Sequence, residues 1–282
     1  MLEAVKQSLG SIKELPPLPL AARHILRALK GDEVVITELV NAVELDPVVT
    51  ARLISIANSA LFHTTHPCTN IRDAIVRLGL QETKQLLLPI VLSEFFDLRR
   101  CPNFRADEYW KEILLVAIGA RKLCESAGGR LDEQIQRSAY SAGLLHNIGL
   151  LALVHIYPEE MNALFRQVTD IRCKHDLVAD ILGIDTSEAS DLLLSSWELP
   201  DEITVVARDI YRDESELRSP PTHLTILIRF MVNWYVQDFR SIDVPYELQG
   251  LGIISEDLMK TQILIRRDMP PLVKIAGMLN YY

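Results

Sequence analysis

The sequence has 282 residues, with 29 basic and 38 acidic side chains and a formal net charge of −9. Apolar residues make up 49% and charged residues 24%, a globular composition that excludes disorder of the whole chain. Residues 1–105 carry a net charge of +1 and residues 106–282 carry −10. The acidic second half argues against a non-specific nucleic-acid binder, which needs Lys and Arg to displace counterions from phosphates.

Helical periodicity dominates the first half. The Pro-rich segment Leu15–Pro19 cannot enter a helix interior and predicts a lead into the first helix. Thr37 and Asp46 are predicted N-caps, Gly79 is a predicted C-terminal stop, and Pro89 predicts a bend. The predicted helices lie near residues 20–30, 38–45, 47–58, 71–78 and 81–96.

A break at Cys101-Pro102, close to the change in charge, predicts a boundary at about residue 105. Beyond it, the strongly apolar stretch Asp132–His155 is predicted to hold two consecutive helices. The other predicted helices lie near residues 108–127, 158–169, 174–183, 186–196, 200–211, 221–238, 256–267 and 270–280. Strand alternation is hard to find, so the predicted fold is all-α.

We expect no membrane span, because the longest apolar runs, such as Leu86–Leu92, are about a third of the roughly 20 residues needed to cross a bilayer. The N-terminus has no signal-peptide core. The four cysteines form no CxxC pair, so we expect reduced thiols in the cytoplasm. A loop with His63, His66 and Cys68 lacks a fourth zinc ligand, and we interpret it as solvated.

The most distinctive segment is YSAGLLHNIGLLAL, where His146 and Asn147 interrupt an apolar pattern. Gly143 and Gly149 flank the pair and allow close approach of neighbouring backbone. A His followed by Asp at this place resembles the centre of the HD superfamily of phosphohydrolases, in which both residues bind divalent metal. The neutral amide of Asn147 is a weaker ligand than a carboxylate. We interpret His146 as a core histidine, hydrogen-bonded to Asn147 or to a neighbouring helix.

Three further motifs closely resemble the HDOD family. They are a Leu-Pro-x-Leu-Pro entry at Leu15–Pro19, a helix from Asp46-Pro47 to Asn58-Ser59, and Ala74-Ile75 followed by Leu78-Gly79. SAGLLHNIG and SSWELPDEI match the later family pattern. The resemblance spans about residues 11–212 and implies a helical fold like that of HD phosphohydrolases.

The resemblance also implies an incomplete ligand set. Glu112 stands where catalytic relatives carry a His, and Thr186 replaces the His of a Gly-x-Asp-His pattern. Residues 208–211 contain no His where relatives often carry a pair. Only His146 is retained, although Glu112 or Asp185 could substitute as ligands. Phosphate-loop, dinucleotide, nucleophile-elbow and HExxH motifs are all missing.

We therefore expect two packed helical bundles, at 1–105 and 106–282, the second HD-like. The resemblance implies a non-catalytic signal-transduction module without a cofactor, which binds a signalling protein in trans or a small signalling ligand. The alternative is a divalent-metal phosphohydrolase acting on a nucleotide or cyclic dinucleotide. The candidate residues of a vestigial pocket are Glu112, His146, Asn147 and Asp185. The oligomeric state and the role of residues 213–282 stay open.

Overall fold

A computed structural model of the chain describes residues 18, 20, 22–25, 36–62, 66–168 and 175–279. Within these residues the chain is helical and has no strand, which confirms the predicted all-α class. The helices are α1 (Ile36–Glu44), α2 (Pro47–Ala57), α3 (Ile71–Leu78), α4 (Leu80–Phe95), α5 (Ala106–Ala127), α6 (Glu133–Leu145), α7 (Ile148–Ile156), α8 (Pro158–Gln167), α9 (His175–Leu182), α10 (Thr186–Ser196), α11 (Asp201–Asp209), α12 (His223–Val236), α13 (Tyr246–Gly250) and α14 (Ser255–Met278).

The contacts divide the described chain into two compact units. The smaller unit holds the described residues from Leu18 to Asp97 and those from Lys274 onward, and the larger unit holds Leu98–Val273. Most of the C-terminal extension therefore belongs to the larger helical unit. The domain boundary at about residue 105 remains a prediction.

Local sequence signals begin and end the helices of the smaller unit. The Asp46 side chain accepts hydrogen bonds from the amides of Val48 and Val49 at 2.9 and 3.2 Å, and Pro47 is the first helical residue of α2. Gly79, at φ +86°, separates α3 from α4 in a conformation that favours glycine. These two predictions are confirmed. Thr37 lies inside α1, so its prediction as an N-cap was wrong.

Side-chain hydrogen bonds hold the loop after α2 in place. Asn58 pairs with the backbone of Cys68 in both directions, at 2.7 and 2.9 Å, and Arg77 donates to the Asn58 side-chain oxygen at 2.8 Å. Cys68 is buried, so the prediction of a solvated loop was wrong at this residue. His63 lies outside the described residues.

The larger unit is built around α5, which is buried on most of its surface because apolar residues cover it nearly all round. Helices α6 and α12 pack against α5, while α10 packs against both α7 and α11. The paired helices α6 and α7 confirm the prediction for residues 132–155. Together they form the one described stretch that is long and apolar enough to cross a membrane, and 89% of its apolar window is buried inside the protein, as in a core helix.

The C-terminal extension is attached to the larger unit by ion pairs. Arg130 donates to both carboxylate oxygens of Asp257 at 2.6 and 2.8 Å, and Asp257 is almost fully buried. Lys122 on α5 lies 2.8 Å from Asp268 on α14. Partial burial favours a higher pKa for Asp268, but hydrogen bonds from Arg267 and Lys122 hold that pKa below its ordinary value.

The last helix differs from the prediction. Separate helices were predicted at 256–267 and 270–280, because Pro270 and Pro271 each remove a helical hydrogen-bond donor. Instead, α14 continues through both prolines for 24 residues. The two carbonyls that lose their donors belong to the exposed residues Arg266 and Arg267, where water can bind them. The short helix α13 was not predicted.

Candidate functional site

His146 ends α6 and is buried in the larger unit. Its side chain is 1% exposed, which confirms the prediction of a core histidine. The ring nitrogen Nδ1 lies 2.7 Å from the carbonyl oxygen of Gly143, one turn earlier in the same helix. This contact differs from the predicted bond to Asn147 or a neighbouring helix. The ring also lies near Tyr211, with 6.1 Å between centroids. His146 is thus positioned by its own helix and by an aromatic neighbour.

Asn147 forms the turn between α6 and α7. It stands at the N-cap of α7 but makes no side-chain cap bond. Its side-chain oxygen is buried and has no hydrogen-bond partner among the described residues. Its backbone carbonyl accepts a hydrogen bond of 3.2 Å from the hydroxyl of Tyr109 on α5. The backbone of the turn is therefore hydrogen-bonded to α5. The side-chain oxygen of Asn147 is an acceptor for which the described residues supply no donor.

Glu112 lies one turn after Tyr109 on α5 and is also buried, at 7% exposure. Burial raises the pKa of Tyr109 well above its ordinary value, and the charge of Glu112 raises it further. Tyr109 is consequently a neutral hydrogen-bond donor at physiological pH. No local sequence pattern predicts this role of Tyr109, because its partner lies 38 positions along the chain.

Asp185 occupies the N-cap of α10. Its side chain accepts a hydrogen bond of 2.7 Å from the amide of Glu188, and the Glu188 side chain accepts one of 3.3 Å from the amide of Asp185. This reciprocal pair is a capping box. The structure thus gives a local reason for an acidic residue at position 185, namely the start of a helix.

The close approach predicted at the flanking glycines is confirmed. A Cβ atom on Gly149 would lie 2.2 Å from the carbonyl oxygen of Thr186 and 2.4 Å from the amide nitrogen of Ser190. The Gly149 amide donates to the Ser190 hydroxyl at 2.8 Å. A Cβ on Gly143 would lie 2.7 Å from the Cα of Ala117. Helices α7 and α10, and likewise α5 and α6, touch through their backbones around the His146-Asn147 turn.

These residues do not fit a divalent-metal centre. A catalytic metal site needs about three side-chain ligands that converge on one point. Within the described part of the chain, no three His, Cys, Asp or Glu side chains are grouped so that they could hold a metal ion. Tyr211 lies beside His146 in the stretch where relatives often carry a His pair. The arrangement offers a buried imidazole, a phenol and an amide, which are hydrogen-bonding groups.

Comparisons with known proteins agree with this helical architecture. The protein-family model for the HDOD domain matches residues 15–212 of the sequence. An uncharacterized protein of Treponema pallidum (strain Nichols) is 25% identical over 201 residues, which cover 68% of this chain and 36% of that protein. The chain therefore spans about a third of the length of this curated relative.

Two solved structures have similar folds. A provisionally named signal transduction protein from Marinobacter aquaeolei VT8 gives a TM-score of 0.75 at 22% identity, and the match covers 99% of this chain and 66% of that chain. A provisionally named phosphohydrolase from Shewanella amazonensis SB2B gives a TM-score of 0.67 at 22% identity, and the match covers 98% of both chains. At these identities the similarity shows the fold.

Proposed function

This chain belongs to the HDOD family, and we propose that it is a non-catalytic signal-transduction module that binds a protein partner or a small signalling ligand. The observation that carries the proposal is how the polar residues of the candidate site are used. Asp185 caps a helix, and no three His, Cys, Asp or Glu side chains of the described residues are grouped so that they could hold a metal ion. The name of the Marinobacter structure agrees with a role in signalling.

We further propose that the module works in the cytoplasm of a bacterial cell. The described cysteines Cys68, Cys101 and Cys124 are free and buried, which suits a reducing compartment. Burial raises the pKa of the Cys124 thiol to about 12, and the nearby charge of Glu125 adds to this effect. The Cys124 thiol therefore stays protonated and unreactive at neutral pH.

The alternative function is a divalent-metal phosphohydrolase. The name of the Shewanella structure favours it, and so does the buried oxygen of Asn147, which is a potential metal ligand. The two functions predict different metal contents. A phosphohydrolase requires one or more bound divalent ions that activate water, whereas a binding module does not.

The deciding experiment is elemental analysis of protein purified without chelator and without a metal-affinity tag. We expect no stoichiometric transition metal in the wild type, in His146→Gln or in the control variant His155→Gln. One equivalent of metal that is lost in His146→Gln and kept in His155→Gln would overturn the proposal. Metal-dependent cleavage of bis-p-nitrophenyl phosphate with the same response to the two variants would do so as well.

A further inference from the structure

A groove of about 550 Å³ opens beside α12 in the larger unit. One wall is a face of α12, and the other is the connection to α13 together with the start of that helix. All of its described lining residues lie between Pro221 and Leu248, beyond the residues 15–212 that match the family model. Grooves of this volume with an apolar floor and a few polar groups are the usual form of binding sites.

The two faces of α12 have different roles. Leu227, Ile228 and Met231 are fully buried and pack into the larger unit. Phe230 and Asn233 lie on the groove face, where Phe230 is half-buried and Asn233 is exposed. The groove face therefore combines an aromatic surface with an amide that can donate and accept hydrogen bonds.

The far wall is fixed in place by Trp234. Its indole nitrogen donates a hydrogen bond of 2.6 Å to the carbonyl of Ser241, and its ring lies 5.3 Å from that of Phe230 between centroids. Trp234 is 1% exposed, so it supports the wall rather than forming the contact surface. The groove is consequently a preformed feature, which lowers the entropic cost of binding.

The net charge of the residues that line the groove is negative. Asp243 and Glu247 are exposed and lie in the lining, and neither carboxylate pairs with a cation in the described part of the chain. The only described basic residue in the lining is Arg229, whose guanidinium is bound to the carbonyls of Asp209 and Arg212. The C-terminal end of α12 adds the negative end of a helix dipole.

Two exposed apolar side chains are next to these acids in the sequence. Ile242 is 41% exposed and precedes Asp243, and Tyr246 is 84% exposed and precedes Glu247. An exposed aromatic residue beside a groove is typical of surfaces that bind proteins. The pattern favours a ligand that is basic and also has apolar contacts to make.

We propose that this groove binds a basic peptide segment of a partner protein. A Lys or Arg side chain of the segment would be held by the carboxylates of Asp243 and Glu247, and its apolar neighbours would contact Phe230 and Tyr246. This inference rests on the proposed function as a binding module and names the chemistry of the partner. A free organic cation shares the charge but lacks the apolar contacts.

The test is a titration of the full chain with a fluorescein-labelled peptide in which two arginines alternate with leucines. The variant Asp243→Lys/Glu247→Lys reverses both carboxylates and is expected to weaken binding about ten-fold or more. The control Glu125→Lys/Glu133→Lys makes the same change of charge at exposed positions on α5 and α6. It is expected to bind within about two-fold of the wild type at physiological salt.

A second variant tests the groove without changing charge. Asn233→Trp places a large side chain at an exposed position on the groove face, so it blocks the groove without changing the core. We expect about a ten-fold loss of peptide binding with unchanged circular dichroism. Equal losses in the control and the groove variants would identify non-specific attraction and overturn the proposal. Equally tight binding of a labelled, apolar-free peptide of arginine and glycine would overturn it too.

Failure of this inference is distinguishable from failure of the proposed function. If the chain holds no metal but the groove variants bind the peptide as the wild type does, the groove assignment falls and the module function stands. If stoichiometric metal and phosphodiesterase activity are found, the module function falls, whatever the groove binds.

Discussion

The His146-Asn147 turn and the groove beside α12 lie in the same helical unit but use polar residues differently. At the turn, imidazole and amide are buried, the nearby Asp185 closes a capping box, and close backbone contacts surround the glycines. At the groove, Asn233, Asp243 and Glu247 are exposed and no described ion pair uses the carboxylates. Polar residues that are buried or hydrogen-bonded within the protein contribute to its stability, whereas exposed and unpaired polar residues are available to a ligand. Three changes of decreasing expected effect on stability test this difference.

The largest effect is expected at the backbone contact beside the turn. Gly149→Ala places a Cβ 2.2 Å from a backbone oxygen of α10, so the two helices must separate. We expect a loss of about 3 kcal/mol or more in the free energy of unfolding, measured by urea denaturation. Gly129→Ala is the control, because a Cβ there would meet nothing within 4 Å. A loss below about 1 kcal/mol for Gly149→Ala would show that the contact adjusts easily.

A smaller effect is expected at Asp185. Asp185→Ala removes the capping interaction and should lower stability by about 1 kcal/mol, while Asp185→Ser keeps a cap and should stay close to the wild type. Denaturation of the three proteins at one pH measures this. Loss of a bound metal in either variant would instead assign Asp185 a ligand role and remove the distinction from the groove.

The smallest effect on stability is expected at Asp243 and Glu247, which line the groove. Asp243→Ala/Glu247→Ala removes two exposed, unpaired carboxylates and should change the free energy of unfolding by no more than about 0.5 kcal/mol. The same variant should bind the basic peptide more weakly. A destabilisation above about 1 kcal/mol would mean that these two carboxylates help to hold the fold together, and the comparison would then fail.

The order of the helices could be predicted from the sequence, because the residues that begin and end each helix act locally. Asp46 with Pro47, and Gly79 in its left-handed conformation, act on backbone groups within a few residues. The apolar stretch 132–155 encodes two core helices for the same reason. The prediction of a break at Pro270 and Pro271 failed, because α14 continues through both prolines and the carbonyls that lose their donors belong to exposed residues.

The candidate site could be predicted from the sequence only in part. The sequence named His146, Asn147, Glu112 and Asp185 as candidates for a pocket, which stays a prediction, and it correctly placed His146 in the core. The hydrogen bond from the Tyr109 hydroxyl to the Asn147 carbonyl joins residues that are far apart in sequence, so no local pattern predicts it.

The all-α class and most helix ends follow from the sequence alone, since periodicity and caps depend on neighbouring residues, and the family follows from the resemblance of its motifs. Only the tertiary structure decided that residues 213–273 belong to the larger unit and that Asp243 and Glu247 line a groove with Phe230. Whether a charged residue is buried, paired or open to solvent depends on which distant segments pack around it, and that is set by the whole fold.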